Sequence, residues 1–331
     1  MTTRRTLGGA ALGLLAAPAL RRADAHAQGS AAAGAYPERA VTLVVPWAAG
    51  GSTDAVARIL AARLTADTGR PFVVDNRTGA NGTIGFNSVA RARNDGYTVL
   101  VGTVSTYAMA PHLYPLPYDN DRAFTGVGLV ASQPMILCVP RSSPYGTLAA
   151  FVAAAKAPGS RMVYANSGTG SSTHLATELF LNAAGIEMPD VGYRGGAPAV
   201  TGIIANEAQM IVQAASGVLP LIANGDLRAL AISSADRSPV APNVPTFREG
   251  GYDVVVAEHI AVLVPAGTPA PIVARLNEMF HAAGHAPDTR ERLAALATVP
   301  EAQRVDEWAA YNLAENAKWR DVIRARNIRV Q

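Results

Sequence analysis

Cysteine is almost missing from this chain. Cys138 stands alone, so no disulfide can form within the chain and the fold must rest on its core. It sits in the apolar run Met135–Val139 and reads as a buried strand residue; it is too far from the N-terminus to be a lipid-anchored cysteine. Aromatic residues make up 6%, too few for a surface that stacks nucleic-acid bases. Beyond residue 27 no stretch has 18 uninterrupted apolar residues, so no membrane-spanning helix is expected and the mature protein reads as soluble. Histidine is scarce. His281 and His285 are four apart, but Ala282-Ala283-Gly284 lies between them without a glutamate, so the pair reads as a solvated helix end and no metal is expected. The phosphate-loop Gly-Lys-Ser/Thr, the third spaced glycine of a dinucleotide fingerprint and the G-x-S-x-G elbow are all lacking where a Gly-rich loop occurs, and no cofactor is expected.

What is present begins with a leader. Arg4 and Arg5 precede an apolar run from Leu7 to Leu20, and Ala25-His26-Ala27 follows. A charged start, a short apolar middle and a small-residue exit make a cleaved signal peptide over residues 1–27. Thr3-Arg4-Arg5-Thr6-Leu7 also suits twin-arginine export, and Arg21 and Arg22 would hinder the ordinary route; both routes stay open. Four of the 28 basic residues and one of the 25 acids, Asp24, lie in the leader, so 24 of each remain and the mature chain is formally neutral. It therefore has no electrostatic case for nucleic acid or anionic membranes.

The mature chain is a globular sequence, 49% hydrophobic and 16% charged, long enough for two domains. Its first residues, through 36, read as a flexible end. Short β-branched runs then alternate with helical patterns. Strands are expected at Val41–Val45, Phe72–Asp75, Thr98–Gly102, Met135–Val139, Met162–Ala165, Met210–Ala214, Leu227–Ser233 and Val262–Val264. Helices of 8 to 23 residues lie between and after them; one at Thr53–Thr68 puts Val56, Ile59, Leu60 and Leu64 on one face before Gly69, and one at Val305–Asn327 carries Trp308, Tyr311, Trp319 and Ile323 as a core stripe. This alternation predicts an α/β architecture with a parallel sheet, built twice, over residues 36–130 and 135–235.

Each half has a Gly-rich loop between a strand and a helix. The first is Pro46-Trp47-Ala48-Ala49-Gly50-Gly51-Ser52-Thr53-Asp54 and the second Asn166-Ser167-Gly168-Thr169-Gly170-Ser171-Ser172-Thr173-His174. Glycine lets a ligand approach the backbone, and the free N–H groups at a helix start attract anions. A tight turn with a helix cap is the equal alternative on spacing alone. His174, beside the positive end of a helix, should stay neutral and serve as a hydrogen-bonding spacer.

The runs "PWAAGGSTDAVARILAARL", "VVDNRTGANGTIG", "NDGYTVLVGT", "YANSGTGSSTHLATELF", "VGYRGGAPAV", "GDLRALAISSADRSPVAPNVPTFREGGY" and "LVPAGTPAPIVARLN" occur in that order and cover nearly all of the mature chain. Together they resemble the periplasmic receptors of tripartite tricarboxylate transporters, the Bug family. The resemblance implies a two-lobed periplasmic-binding-protein fold of type II, a Venus flytrap with its ligand cleft between the lobes. Lobe 1 would comprise residues 36–132 and 255–331, and lobe 2 residues 133–254, with chain crossings near Ala131–Pro134 and Gly251–His259. It implies that the two loops pinch a ligand carboxylate through Trp47, Ala49, Gly50, Gly51, Ser52, Thr53 and Asp54 on one side. Ser167, Thr169, Gly170, Ser171, Ser172, Thr173 and His174 would face them. Asn76, Asn81, Gly82, Tyr193, Arg194 and Gly195 match segments near the cleft. Two departures bear on the ligand: Gln213-Ala214 stands where relatives commonly have Asp-Asn, and His259-Ile260 where they often have an aromatic pair. Without the aspartate, a non-amino acid (a hydroxy, dicarboxylic or aromatic acid) is favoured.

The expected function is therefore a monomeric, non-enzymatic periplasmic receptor that captures a small organic acid and delivers it to integral-membrane transporter subunits, with no nucleic-acid partner. A carboxylate sensor for a signalling system and a secreted hydrolase are the alternatives; the second would need a nucleophile–base set that the spacing does not supply.

Overall fold

The structure, a computed structural model, describes residues 36–193 and 195–329. The leader, the start of the mature chain through residue 35, and Arg194 lie outside the described residues. Strand β1 (Val41–Val45), helix α1 (Ser52–Thr68), β2 (Phe72–Asn76), α2 (Thr83–Ala90) and β3 (Thr98–Thr103) open the fold. Helix α1 forms because Val56, Ile59, Leu60 and Leu64 recur on one face and are buried there. It stops where Gly69 turns left-handed and its N–H caps the Thr65 carbonyl.

Strand β4 (Phe124–Pro140) is 17 residues long and changes partners along its length. Phe124–Pro134 pairs with β9 (Ala257–Pro265), whereas Met135–Pro140 pairs with β7 (Met210–Ala214) and β8 (Leu227–Ile232). Around that second half lie α3 (Leu148–Ala155), β5 (Tyr164–Asn166), α4 (Ser172–Ala184), β6 (Asp190–Gly192), α5 (Gly196–Ile204) and α6 (Ala215–Ala223). The chain returns through β9 to α7 (Ala270–His285), α8 (Pro287–Ala295), β10 (Val299–Pro300) and α9 (Trp308–Ala325). The strand order is β2-β1-β3-β9-β4-β7-β5-β6, with β8 and β10 also on β4. The fold is thus a two-lobed α/β structure threaded by one long strand.

The expectation of a wholly parallel sheet is corrected. β1, β2 and β3 are parallel, as are β5, β6 and β7, but β4 and β9 run antiparallel to all their neighbours. β4 crosses between the lobes and β9 lies beside its first half, neither reached through a helical crossover from its neighbour, so nothing forces them parallel. The patterning showed only Met135–Val139 and Val262–Val264 because Gly126, Gly128, Ser132 and Gln133 interrupt the apolar run that marks a buried strand.

One core joins α1, α7 and α8 to a face of the first lobe's sheet through residues such as Leu60, Val101, Val262, Leu276 and Phe280. A second packs α5 and α6 on the other lobe through Ile136, Cys138, Val200, Ile211 and Val218. A third runs continuously behind both lobes, from Phe86 and Leu100 through Leu137 and Phe180 to Trp319 of α9. The opposite side, where the helices begin, is left open as a cleft.

Candidate functional site

Four helix N-termini meet on that cleft, which has a volume of about 870 Å³. α1 contributes Ser52 and Thr53, α4 Ser172 and Thr173, α5 Gly196 and Ala197, and α6 Ser216 and Gly217. The first-turn N–H groups of a helix lack intrahelical partners, and each helix adds a partial positive charge there. α1 and α5 carry no side-chain cap, so their N–H groups stay open to the cleft. Among the described residues no Lys or Arg lines it. The helix ends therefore make the site attractive to anions through neutral donors.

The first loop is held from behind. Buried Asp54 accepts hydrogen bonds from the Gly50 N–H, Arg58 Nε and Asn76 Nδ2, each at 2.9 Å. Burial alone would raise its carboxyl, but the bonds from Arg58, Gly50 and Asn76 hold it below the usual carboxylate range. Asn76 also donates to the Trp47 carbonyl at 3.0 Å. Asp54 and Asn76 thus shape the loop while Trp47, Gly50, Gly51, Ser52 and Thr53 line the cleft. Gly50 has φ +82°, a left-handed turn that glycine permits. Ala49 is exposed at the loop edge. Asn81 lies in the short turn Ala80–Gly82, and its side chain is outside the described residues.

The second loop is tied by its own hydroxyls. Thr173 Oγ1 accepts the Ser167 N–H at 2.8 Å and lies 2.9 Å from Ser171 Oγ. Ser171 caps α4 by accepting the His174 N–H at 3.3 Å. The Gly170 N–H donates to His174 Nδ1 at 3.0 Å, and desolvation lowers the His174 pKa against the pull of Asp190 and Glu178. Ser167, Ser171, Ser172 and Thr173 line the cleft, while Gly170 and His174 are buried behind it. Thr169 is exposed, and its carbonyl accepts from the Tyr114 hydroxyl across the lobes at 3.4 Å.

The remaining expected residues divide. Gly195 lines the cleft and donates its N–H to the Ser167 carbonyl at 3.2 Å. Gln213 lines it too, its Oε1 accepting the Ala214 N–H at 2.9 Å. Tyr193 lies against α5, its hydroxyl donating to Glu207 at 2.7 Å. His259 is turned to α9, with Nδ1 2.7 Å from the Tyr311 hydroxyl, which in turn is 2.8 Å from that of Tyr107. Burial holds His259 down to about 4.

Alternation along β9 puts the preceding residue, Glu258, into the cleft instead. Its carboxyl is pushed up to about 7 by desolvation, which hydrogen bonds from the Ser172 and Thr103 hydroxyls only partly offset. Its Oε2 is shielded from solvent and has no hydrogen-bond partner. Sequence reasoning missed Glu258; the available signal was one acid inside the otherwise uncharged run VVVAEHIAVLV. It also missed Ser105 and Ser216 on the polar side, and the aliphatic wall of Val200, Ile204, Leu221 and Leu296.

Two lobes with helix N-termini facing each other across a cleft define a ligand-capturing binding protein. Residues 56–328 match the family model "Tripartite tricarboxylate transporter family receptor". The chain is 34% identical to Protein BugT of Bordetella pertussis over 314 residues, covering 94% of this chain and 96% of the relative. It is also similar to the solved periplasmic binding protein BugD, with a TM-score of 0.77 and 31% identity over 89% of this chain and 100% of that one. A third likeness is to R. palustris Rpa4515 with adipate, with a TM-score of 0.80 and 33% identity over 89% of this chain and 99% of that one. The chain belongs to the tripartite tricarboxylate transporter receptor family, which includes the Bug proteins.

Proposed function

We propose that the mature chain is a monomeric periplasmic receptor that closes its two lobes on a small organic carboxylate and hands it unchanged to integral-membrane transporter subunits. The observation that carries this is the meeting of α1 and α4, one from each lobe, N-terminus to N-terminus on one cleft without a lining Lys or Arg among the described residues. The N–H groups and hydroxyls of Ser52, Thr53, Ser172 and Thr173 would hold the carboxylate, with Gly50 and Gly51 allowing its approach. The aliphatic wall would take the body of the acid; a similar protein was solved with adipate. We divide the lobes at 36–132 plus 255–331 and 133–254, close to where β4 changes partners at Pro134 and Met135. Export through the leader at residues 1–27 fits a family whose solved members include a periplasmic binding protein. Among the described residues no helix is long and apolar enough to cross a membrane.

Calorimetry with paired ligands tests the reading: each acid of a panel of aliphatic dicarboxylic, hydroxy and aromatic acids against its methyl ester. Binding of an acid, with its ester weakened tenfold or more, is the expected result. Equal affinity for acid and ester, or turnover of the ester, would overturn it. Mass spectrometry of small molecules released from gently purified protein names the acid.

A further inference from the structure

Glu258 is an acid in a cleft otherwise built to attract anions, and its position raises a conflict of charge. It lines the same cavity as the N-termini of α1 and α4, and Ser172, a first-turn residue of α4, hydrogen-bonds its carboxyl. A carboxylate ligand seated at these N-termini would bring like charge beside Glu258, which favours the neutral acid. The Oε2 atom is buried without a donor, so the Ser172 and Thr103 hydroxyls support the ionised form only in part.

The surrounding groups do not remove the conflict. Opposite Glu258 on β4 stands the uncharged Gln133. From α9 come Tyr311, Glu315 and Lys318; from the segment after β3 comes Tyr107; His174 lies on α4 and His259 beside Glu258 on β9. Glu258 makes the Tyr107 and Tyr311 hydroxyls harder to ionise. Both histidines are held neutral by burial. Lys318 is paired with Glu315 at 2.5 Å.

We propose that Glu258 couples ligand capture to a proton: the closed, anion-bound receptor holds Glu258 as a neutral acid, so capture above neutral pH takes up one proton and affinity rises as pH falls. This rests on the carboxylate reading of the cleft. The proton comes from solvent and returns to it on release. Burial already pushes the Glu258 carboxyl up to about 7 in the free protein, and a ligand anion beside it pushes it further up, so capture takes up a proton. Below that pH the acid is neutral before ligand arrives and affinity levels off. Above it each pH unit costs about tenfold, or about 1.4 kcal/mol.

The probe is adipate, titrated by calorimetry between pH 6.0 and 8.5 in pairs of buffers that differ in ionisation enthalpy. Carboxyls of its kind stay ionised over most of that range. The expected result is an uptake approaching one proton per adipate at pH 8.5 and close to none at pH 6.0, with affinity falling about tenfold per unit above pH 7. E258Q, neutral at every pH, should bind adipate tighter than wild type at pH 8.5 by about tenfold or more, with a flat pH profile and no proton uptake. Such a gain is not something a misfolded variant can mimic, and the wild-type proton count stands without the variant. Adipate binding that is independent of pH and free of proton uptake would overturn the coupling and leave the carboxylate reading intact. Affinity that falls with acidification, or that E258Q weakens at pH 8.5, would overturn it in favour of an ionised Glu258 that meets a cationic group. No binding of adipate or of any acid in the panel at either pH would overturn both readings.

Discussion

The backbone N–H of Gly170 donates to Nδ1 of His174 at 3.0 Å, so the imidazole uses its lone pair to hold the second Gly-rich loop. His174→Ala leaves that N–H in a buried place without an acceptor. The expected loss is about 1–3 kcal/mol of stability, measured as a shift in urea midpoint at constant m-value. His174→Asn, which keeps an acceptor, should recover part of it.

Both His174 and His259 should titrate below the ordinary histidine range, His259 near 4, and the ring resonances in NMR check this directly. A histidine whose folded pKa is lowered binds its proton more readily when unfolded. The stability it supplies is present above about 6.5 and is lost as pH falls toward the folded value. His259→Phe should therefore lessen the fall in stability between pH 6.5 and 4.

Glu258 acts in the opposite sense. Its folded pKa is raised from 4.5 to about 7, so the unliganded fold is penalised above pH 7 and relieved as pH falls toward 4.5. E258Q should stabilise the free protein at pH 8 by on the order of 2 kcal/mol and give no gain at pH 4.5. Chemical denaturation at the two pH values decides it.

The two loops should respond differently to truncation. Gly51 has φ −75°, and an added Cβ would meet only the Ala48 carbonyl at 3.3 Å. Gly51→Val should therefore leave the fold intact and, on the carboxylate reading, abolish most acid binding by filling the approach. Ser171→Ala removes the cap of α4 and should cost about 1 kcal/mol of stability along with affinity. Asp54→Ala, with no ligand contact expected, should weaken binding too, because Gly50, Arg58 and Asn76 lose their common acceptor.

At the back of the molecule, Arg326 follows α9 and pairs with Glu178 of α4, which also accepts the Tyr164 hydroxyl at 2.5 Å. Both side chains of the pair are about 10% exposed. Arg326→Ala leaves a buried acid without its partner, and a loss of about 3–5 kcal/mol is expected. On the proposed division α9 belongs to the first lobe and α4 to the second, so domain motion seen by small-angle scattering should widen as well.

Much of this was legible in local pattern. The helix face of Val56, Ile59, Leu60 and Leu64, its stop at Gly69, and the buried setting of Cys138 depend on spacing over a few turns, and spacing is what a sequence displays. The two Gly-rich loops showed themselves because glycine next to hydroxyl residues at a strand-to-helix junction is a local event. The parallel-sheet reading failed at β4 and β9, where glycines and polar residues blur the strand signal and the partner lies more than 100 residues away.

By itself the sequence determined an α/β chain, its family resemblance and the residue types at each helix mouth, since these follow from order and period along the chain. Only the tertiary structure decided which of those residues share one cavity. It turned His259 toward Tyr311 and, by the alternation of one strand, set Glu258 between Thr103 and Ser172. It withdrew Asp54 and Asn76 behind the loop they support. The physical reason is that a side chain's partners across a cleft come from strand register and helix packing between distant segments, and no local period records them.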